Sequence, residues 1–108
     1  MGHTLILDTS RPHESIDAYL AEPTGTPKGG IVVIQEIFGV NAHIRSVADR
    51  FAAEGYVAIA PALFDPVEKG VELGYDQEGT QKGVKLISEL GLLRPTQDVA
   101  IAARLIAD

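Results

Sequence analysis

The 108-residue chain contains no cysteine and no tryptophan, and it has only one methionine. The absence of cysteine excludes a disulfide framework, a thiolate metal site and a cysteine nucleophile within these residues. Basic residues are also scarce, because nine Lys and Arg face fifteen Asp and Glu, a formal net charge of -6. Phosphate backbones and anionic lipids attract basic surfaces, so neither nucleic acid nor a membrane is predicted as a partner.

Long hydrophobic runs are missing as well. The apolar stretches at residues 31–34 and 56–60 are far too short to span a bilayer. No basic segment precedes a long apolar stretch near Met1, so no signal peptide is predicted, and a cytoplasmic protein is the simplest expectation. With 45% hydrophobic and 22% charged residues, the composition is typical of one globular core.

The first half of the chain has the pattern of an α/β fold. Residues 4–8 and 15–20 predict two strands of an antiparallel hairpin around Arg11-Pro12. Residues 31–34, all Ile or Val, predict a strand in the middle of a sheet covered on both faces. Asn41 is predicted to cap a helix that ends at Gly55, and residues 56–60 predict the next strand. The buried positions expected in this helix are Ile44, Val47, Ala48, Phe51 and Ala52. Strand, helix and strand form one right-handed βαβ unit, so a parallel sheet core is expected.

The second half predicts a long loop followed by two helices. Two prolines and two glycines mark residues 61–74 as a loop of the kind that often carries function. Residues 77–90 predict a helix that Gly91 ends, although two internal glycines weaken it. Its expected buried face is Val84, Ile87 and Leu90. Thr96 is predicted to cap the last helix, with Asp98 in its first turn. The buried stripe expected there is Val99, Ala102, Ala103 and Ile106.

The best candidate for chemistry is the segment 35–41, which follows the apolar strand and opens the first helix. Ligands in open α/β sheets bind outside the carboxyl ends of the strands, where this segment must lie. Glu36 would be a partly desolvated carboxylate there, suited to proton transfer. The alternative is that Glu36 is an ordinary exposed turn residue.

Other polar residues are weaker candidates. His43 could approach the Glu36 loop, but a solvated or capping role is the favoured interpretation. His3 and His13 are not spaced as metal ligands, so no metal site is predicted. Ser46 and Ser88 have no histidine partner in view and are not predicted nucleophiles. One loop carries four carboxylates that could bind a cation or simply be solvated: Asp65, Glu68, Glu72 and Asp76.

The segment Gly30-Ile31-Val32-Val33-Ile34-Gln35-Glu36-Ile37-Phe38-Gly39-Val40-Asn41 closely resembles the dienelactone hydrolase family. The resemblance continues through residues 43–45, 48–50 and 55–64, and it extends weakly over 98–105. It implies an α/β-hydrolase fold, of which residues 1–108 would be the N-terminal portion of a single domain. That portion would comprise the hairpin, the βαβ unit and two further helices.

The resemblance also implies an activity. In that family a cysteine nucleophile, an aspartate and a histidine hydrolyse a small lactone or ester without a cofactor. By matching position, Glu36 would contact and activate the resting thiol, and the backbone N–H of Ile37 would donate to the oxyanion. Phe38 is carried over as a substrate-binding residue.

The chain departs from the family pattern in its nucleophile. No G-x-S-x-G or G-x-C-x-G elbow is present, and the nucleophile, acid and histidine of the triad are all missing. A family arginine that binds a substrate carboxylate would fall near residues 76–85, where only Lys82 and Lys85 are basic. A carboxylated substrate is therefore not predicted, and this chain alone is expected to be inactive.

Three interpretations follow from the sequence. The first is a dienelactone hydrolase-like enzyme that is truncated or split before its nucleophile elbow. The second is a catalytically inactive interaction module that pairs through an exposed sheet edge, and the third is a free-standing βα domain that binds a small molecule at the Glu36 loop. The resemblance implies that strand 31–34 lacks a neighbour on one side, so a homo-oligomer or a complementary chain is expected to cover it.

Overall fold

The computed structural model describes residues 2–107, which form one four-stranded sheet with three helices. The strands are β1 (Gly2–Asp8), β2 (Ser15–Ala21), β3 (Gly30–Val32) and β4 (Val57–Pro61). The helices are α1 (Ala42–Ala53), α2 (Gln77–Leu90) and α3 (Leu93–Ile106). Among these residues no helix has the length and apolarity needed to cross a membrane.

The strand order β1-β2-β4-β3 makes the sheet mixed. β1 and β2 form the predicted hairpin, and β3 pairs in parallel with β4 across α1, as the βαβ pattern indicates. The β3–β4 pair is the predicted parallel core, and β2 also pairs antiparallel with the other edge of β4, so the sheet as a whole is mixed. The prediction of an α/β fold is confirmed.

β4 is the central strand and is covered on both faces. Its Ala58 and Ala60 belong to a cluster with Ile44 and Ala48 of α1. Its Ile59 points to the other face and packs with Ala102 of α3 and with hairpin residues. Alternation along a strand therefore places α1 and α3 on opposite faces of the sheet.

β3, whose apolar composition predicts the middle of the sheet, lies at its edge, as the family resemblance implies. β3 is only three residues long and pairs with β4 alone among residues 2–107. The pairing continues one step further, since Val33 N–H donates to the Ile59 carbonyl at 2.8 Å. The next side chain, Ile34, is 59% exposed, because no described strand or helix covers it.

The first helix agrees with its sequence pattern at its start and end. Asn41 Oδ1 accepts a hydrogen bond of 3.0 Å from Ile44 N–H, which satisfies one of the free donors at the helix N-terminus. The prediction that Phe51 is buried is wrong. Its ring lies on the outer side of α1, where it makes an edge contact with Tyr56.

α2 has the predicted bounds, but its buried face is rotated. Val84 is exposed, and the face turned inward is Gly79, Gly83, Leu86 and Leu90. The two glycines that weaken the helix locally let it approach other backbone closely. A Cβ at Gly79 would collide with the Gly74 carbonyl, and one at Gly83 would collide with the Ile37 carbonyl.

α3 begins earlier than predicted. It starts at Leu93, and Thr96 lies within its first turn, where its hydroxyl donates to the Leu92 carbonyl at 2.7 Å instead of capping the helix. Pro95 is compatible with this start, because N–H groups of a first turn have no intrahelical acceptor. Ala103, expected in the buried stripe, is exposed.

Asp98, predicted in the first turn of the last helix, lies in the second turn of α3 because the helix starts at Leu93, and it is completely buried. Arg11 in the hairpin turn reaches it, with Nη2 2.9 Å from Asp98 Oδ2. The same guanidinium donates to Gln97 Oε1 at 2.9 Å and lies 3.0 Å from Glu14. The hydrogen bond to Asp98 raises the pKa of Arg11 above its usual value. This ion pair joins the hairpin to α3.

Candidate active site

The loop that follows β3 is held in a tight turn. Gly39 N–H donates to the Glu36 carbonyl at 3.2 Å, and Gly39 adopts a φ of 86°. A side chain at Gly39 would collide with the Val71 carbonyl, so both the backbone angle and the close approach require glycine. Gln35 ties the loop to the residues after β4, because its Oε1 accepts from Leu63 N–H at 2.9 Å.

Glu36 lies beyond the carboxyl end of β3, as predicted, but its side chain is exposed. The expected partial desolvation is wrong for the described residues, because the uncovered sheet edge leaves the carboxylate open to water. One oxygen has a defined partner: the hydroxyl of Tyr75 donates to Glu36 Oε1 at 3.0 Å. That hydroxyl in turn accepts from Asn41 Nδ2 at 3.0 Å. No spacing in the sequence points to Tyr75 as part of the site.

Glu36 also borders an apolar cavity of about 370 Å³. The loop residues Ile34 to Ile37 line it, together with Pro95 and Val99 of α3. The cavity opens beside the free edge of β3. An apolar hollow with one carboxylate at its border is the arrangement typical of small-molecule sites.

The backbone of Ile37 contacts α2. Its carbonyl packs against Gly83 of α2, where any side chain would displace it. No main-chain carbonyl among residues 2–107 accepts from the Ile37 N–H. The peptide is therefore held by helix packing and keeps its donor available, although its role as an oxyanion donor stays a prediction.

Phe38 lies away from the cavity walls. Its ring makes an edge contact with Tyr75 at a centroid distance of 4.5 Å. Its carbonyl accepts from Leu73 N–H at 2.9 Å. Phe38 thus supports Tyr75, and its predicted contact with substrate stays a prediction.

Comparison with known proteins identifies the family. A family model described as the dienelactone hydrolase family matches residues 16–106. The chain belongs to the dienelactone hydrolase family. A "Putative carboxymethylenebutenolidase" of Synechocystis sp. is 49% identical over 84 residues, which are 77% of this chain and 34% of that protein. A protein of the same name from Azospirillum brasilense is 52% identical over 60 residues, 55% of this chain and 26% of that protein.

Solved structures of the family confirm the fold. The "Putative Dienelactone Hydrolase" of Klebsiella pneumoniae superposes with a TM-score of 0.74 at 30% identity, covering 100% of this chain and 46% of that one. A dienelactone hydrolase-like promiscuous phosphotriesterase from metagenomic libraries has the same fold, with a TM-score of 0.63 at 22% identity. The chain therefore spans about a third of its Synechocystis relative and less than half of these solved chains.

The four acidic residues of the loop after β4 do not converge. Each has its own partner: Glu68 pairs with Lys82 and Glu72 with Arg45, both at 3.0 Å, while Asp76 caps α2 through Gly79 N–H. Asp65 is buried and accepts from the N–H groups of Asp17 and Gly70, and its burial raises its pKa. Simple solvation is therefore wrong for Asp65, whereas Glu68, Glu72 and Asp76 are exposed as predicted for a solvated loop. Among residues 2–107 no group of three His, Asp or Glu is arranged to hold a metal ion.

The remaining candidates lie on the surface. His3, His13 and His43 are exposed, and so is Ser46 on α1. Ser88 is exposed too, and its hydroxyl donates to the Val84 carbonyl at 3.0 Å within α2. These side chains are solvated or locally bonded, as the more ordinary interpretation of each predicts.

Proposed function

We propose that this chain provides the glutamate and the oxyanion donor of an active site that hydrolyses small lactones or esters. The observation that carries the proposal is that Glu36 and Ile37 share the wall of the apolar cavity beyond the carboxyl end of β3. Residues 1–108 would be the N-terminal portion of an α/β-hydrolase domain. Its nucleophile, acid and histidine would come from polypeptide that pairs with the free edge of β3.

The chemistry assigned to these two residues is simple. Glu36 takes the proton of a thiol brought beside it, and the resulting thiolate attacks the carbonyl carbon of the ester. The electron pair of the C=O bond moves onto oxygen, and the Ile37 N–H donates to that oxyanion. Collapse of the intermediate breaks the bond to the alcohol oxygen, which takes up the proton that Glu36 received from the thiol. Water then hydrolyses the acyl-enzyme and restores the thiol. Since the chain has no cysteine, these steps require the partner polypeptide.

Complementation tests this proposal. The chain is mixed with a polypeptide spanning the part of the Synechocystis relative beyond its match, and hydrolysis of activated aryl esters and simple lactones is measured. We expect no turnover above buffer from the chain alone and clear turnover from the mixture. Glu36→Gln should lower that turnover by about 10²-fold, the usual contribution of general acid–base catalysis.

Glu22→Gln is the matched control, because it removes the same charge from an exposed position after β2. It should leave turnover within about twofold, as expected for a surface change outside the site. Turnover by the chain alone would contradict the proposal. A mixture in which Glu36→Gln hydrolyses esters as fast as the parent chain would contradict the role assigned to Glu36.

A second function is favoured by a different observation. Beyond the edge strand β3 lies Ile34, which is 59% exposed, and it lines the same cavity as Leu92, which is 78% exposed. Such an edge favours strand addition by another chain. In this alternative the chain is an inactive interaction module that associates with a second copy of itself, and complementation restores no hydrolysis.

A further inference from the structure

We propose that Tyr75 is a positioning residue that holds the Glu36 carboxylate in one orientation beside the apolar cavity. The inference rests on the proposed function of Glu36 and adds a residue that neither the sequence pattern nor the family resemblance identifies. Tyr75 lies just before α2, 39 residues from Glu36, and its hydroxyl is 3.0 Å from Glu36 Oε1.

The direction of this hydrogen bond follows from the groups around the hydroxyl. Asn41 Oδ1 accepts from Ile44 N–H, so its amide group Nδ2 must be the atom that faces Tyr75. An amide NH₂ only donates, and an ionised carboxylate only accepts. The Tyr75 hydroxyl therefore accepts from Asn41 and gives its own proton to Glu36.

Tyr75 is 60% exposed, and its ring has one aromatic neighbour. Phe38 packs against it edge-on at 4.5 Å. The segment before it is bonded to the Glu36 turn, because Leu73 N–H donates to the Phe38 carbonyl at 2.9 Å and Gly39 forms a bridge with Glu72. The hydroxyl thus approaches Glu36 from a segment that is hydrogen-bonded to the Glu36 turn, and its contacts continue through Asn41 to the N-terminus of α1.

This support matters because Glu36 is exposed. An exposed glutamate side chain samples many rotamers, and a reaction that needs one of them loses rate to the others. The hydrogen bond uses only one carboxylate oxygen, so the second remains for an incoming thiol. Tyr75 acts through Glu36 and is assigned no contact with substrate.

Tyr75→Phe in the chain as it stands removes the hydroxyl and keeps the ring. We expect NMR to show averaged side-chain couplings for Glu36 and a shift of its carboxyl ¹³C resonance toward that of the exposed Glu78. Asn41→Asp is a second variant, which keeps an oxygen to cap Ile44 but replaces the donor with an acceptor. The Tyr75 hydroxyl should then turn to the new carboxylate, and Glu36 should be released as in Tyr75→Phe.

Tyr19→Phe is the matched control. It removes another hydrogen bond between a tyrosine and a carboxylate, 2.7 Å from Tyr19 of β2 to Asp49 of α1, which does not involve Glu36. The Glu36 resonances should not change in this variant. Unchanged Glu36 couplings and carboxyl shift in Tyr75→Phe would overturn the proposal, and release by Tyr75→Phe but not by Asn41→Asp would overturn the step through Asn41.

A kinetic measurement in the complemented mixture separates positioning from binding. Tyr75→Phe should lower kcat by about tenfold and leave KM within about twofold, because a misplaced catalytic group slows the chemical step more than substrate binding. An equal kcat in parent and variant would contradict the positioning role. A mixture that shows no hydrolysis rejects the proposed function alone, since the NMR experiment tests the Tyr75 contact independently of activity.

Discussion

The two edges of the sheet, at β1 in the hairpin and at β3, differ in how far their strands are paired and anchored. On the hairpin side a seven-residue strand pairs along its whole length, and Arg11 closes the turn onto a buried carboxylate of α3. On the β3 side a three-residue strand ends beside exposed Ile34 and an open apolar cavity. Polar contacts between distant segments secure the first side, while the candidate chemistry lies on the side that is still open.

The largest effect is expected from breaking the hairpin side. Arg11→Met would leave the carboxylate of Asp98, which is 0% exposed, without its partner. We expect a loss of about 3–5 kcal/mol in the free energy of unfolding, measured by urea denaturation, because an uncompensated buried charge is very unfavourable.

A double variant and a control sharpen this prediction. Arg11→Met combined with Asp98→Leu should recover most of the loss, because an apolar pair of similar volume often replaces a buried ion pair at little cost. Arg50→Met, at an exposed position of α1, should change stability by less than about 0.5 kcal/mol. A small effect of Arg11→Met alone would show that water reaches Asp98.

The next effect concerns the wall of the cavity on the β3 side. Gly83→Ala would normally stabilise a helix, yet here the new methyl group meets the Ile37 carbonyl. We expect the unfolding free energy to fall by about 1–3 kcal/mol, as for overpacked cores. Gln81→Ala on the exposed side of α2 is the control. Increased stability in Gly83→Ala would mean that the loop moves away freely.

Local sequence signals predict some features of the two sides of the sheet and miss others. The hairpin, the Asn41 cap and the bounds of α2 follow from short-range patterns, and the structure confirms each of them. Burial of Asp98 depends on Arg11, 87 residues away, and no periodicity contains that information. Likewise β4 is an interior strand and β3 an edge strand, because β2 pairs with the edge of β4 that β3 leaves free.

The candidate site can be predicted only in part for the same reason. An apolar strand followed by a turn is enough to place Glu36 beyond the carboxyl end of β3. The contact with Tyr75 joins two loops that are far apart in sequence, so residue spacing cannot reveal it. Helix propensity indicates Gly83 only as a weak point of α2, whereas its lack of a side chain lets the helix touch the Ile37 peptide.

A smaller effect should distinguish the two edges in solution. Ile34 beside β3 and Ile6 in β1 are 59% and 73% exposed, so the same substitution by lysine compares them directly. If chains associate through the β3 edge, Ile34→Lys should weaken self-association about tenfold, because charged residues on an edge oppose strand pairing. Ile6→Lys should leave it unchanged. Sedimentation over a concentration series measures both, and equal weakening would contradict an interface at β3.

The smallest effect is a pH dependence from Asp65, whose carboxylate ties β2 to the loop after β4. Burial raises the pKa of Asp65 above its ordinary value of 3.8, so the folded state holds this proton more tightly than the unfolded chain. Its contribution to stability therefore falls as pH rises from about 3.8 through the raised pKa, by about 1.4 kcal/mol for each pH unit that separates the two pKa values.

Asp65→Asn should remove this part of the pH dependence in urea denaturation series. Asp8→Asn is the control, since that carboxylate is exposed at the end of β1. The difference between parent and Asp65→Asn curves should change across the window above pH 3.8 and be constant at higher pH. If the free energies of unfolding of parent and Asp65→Asn differ by the same amount at every pH, the pKa of Asp65 is not raised by folding.

The strand order also determines how long the second edge of β2 stays unpaired during synthesis. The hairpin is complete once Ala21 has been made, but the second edge of β2 receives β4 only after Val57. At about 5–20 residues per second, the roughly 35 intervening residues take about 2–7 s. During that interval a nascent chain carries a finished hairpin whose β2 edge is unpaired. A chaperone that binds this edge would prevent it from pairing with another chain.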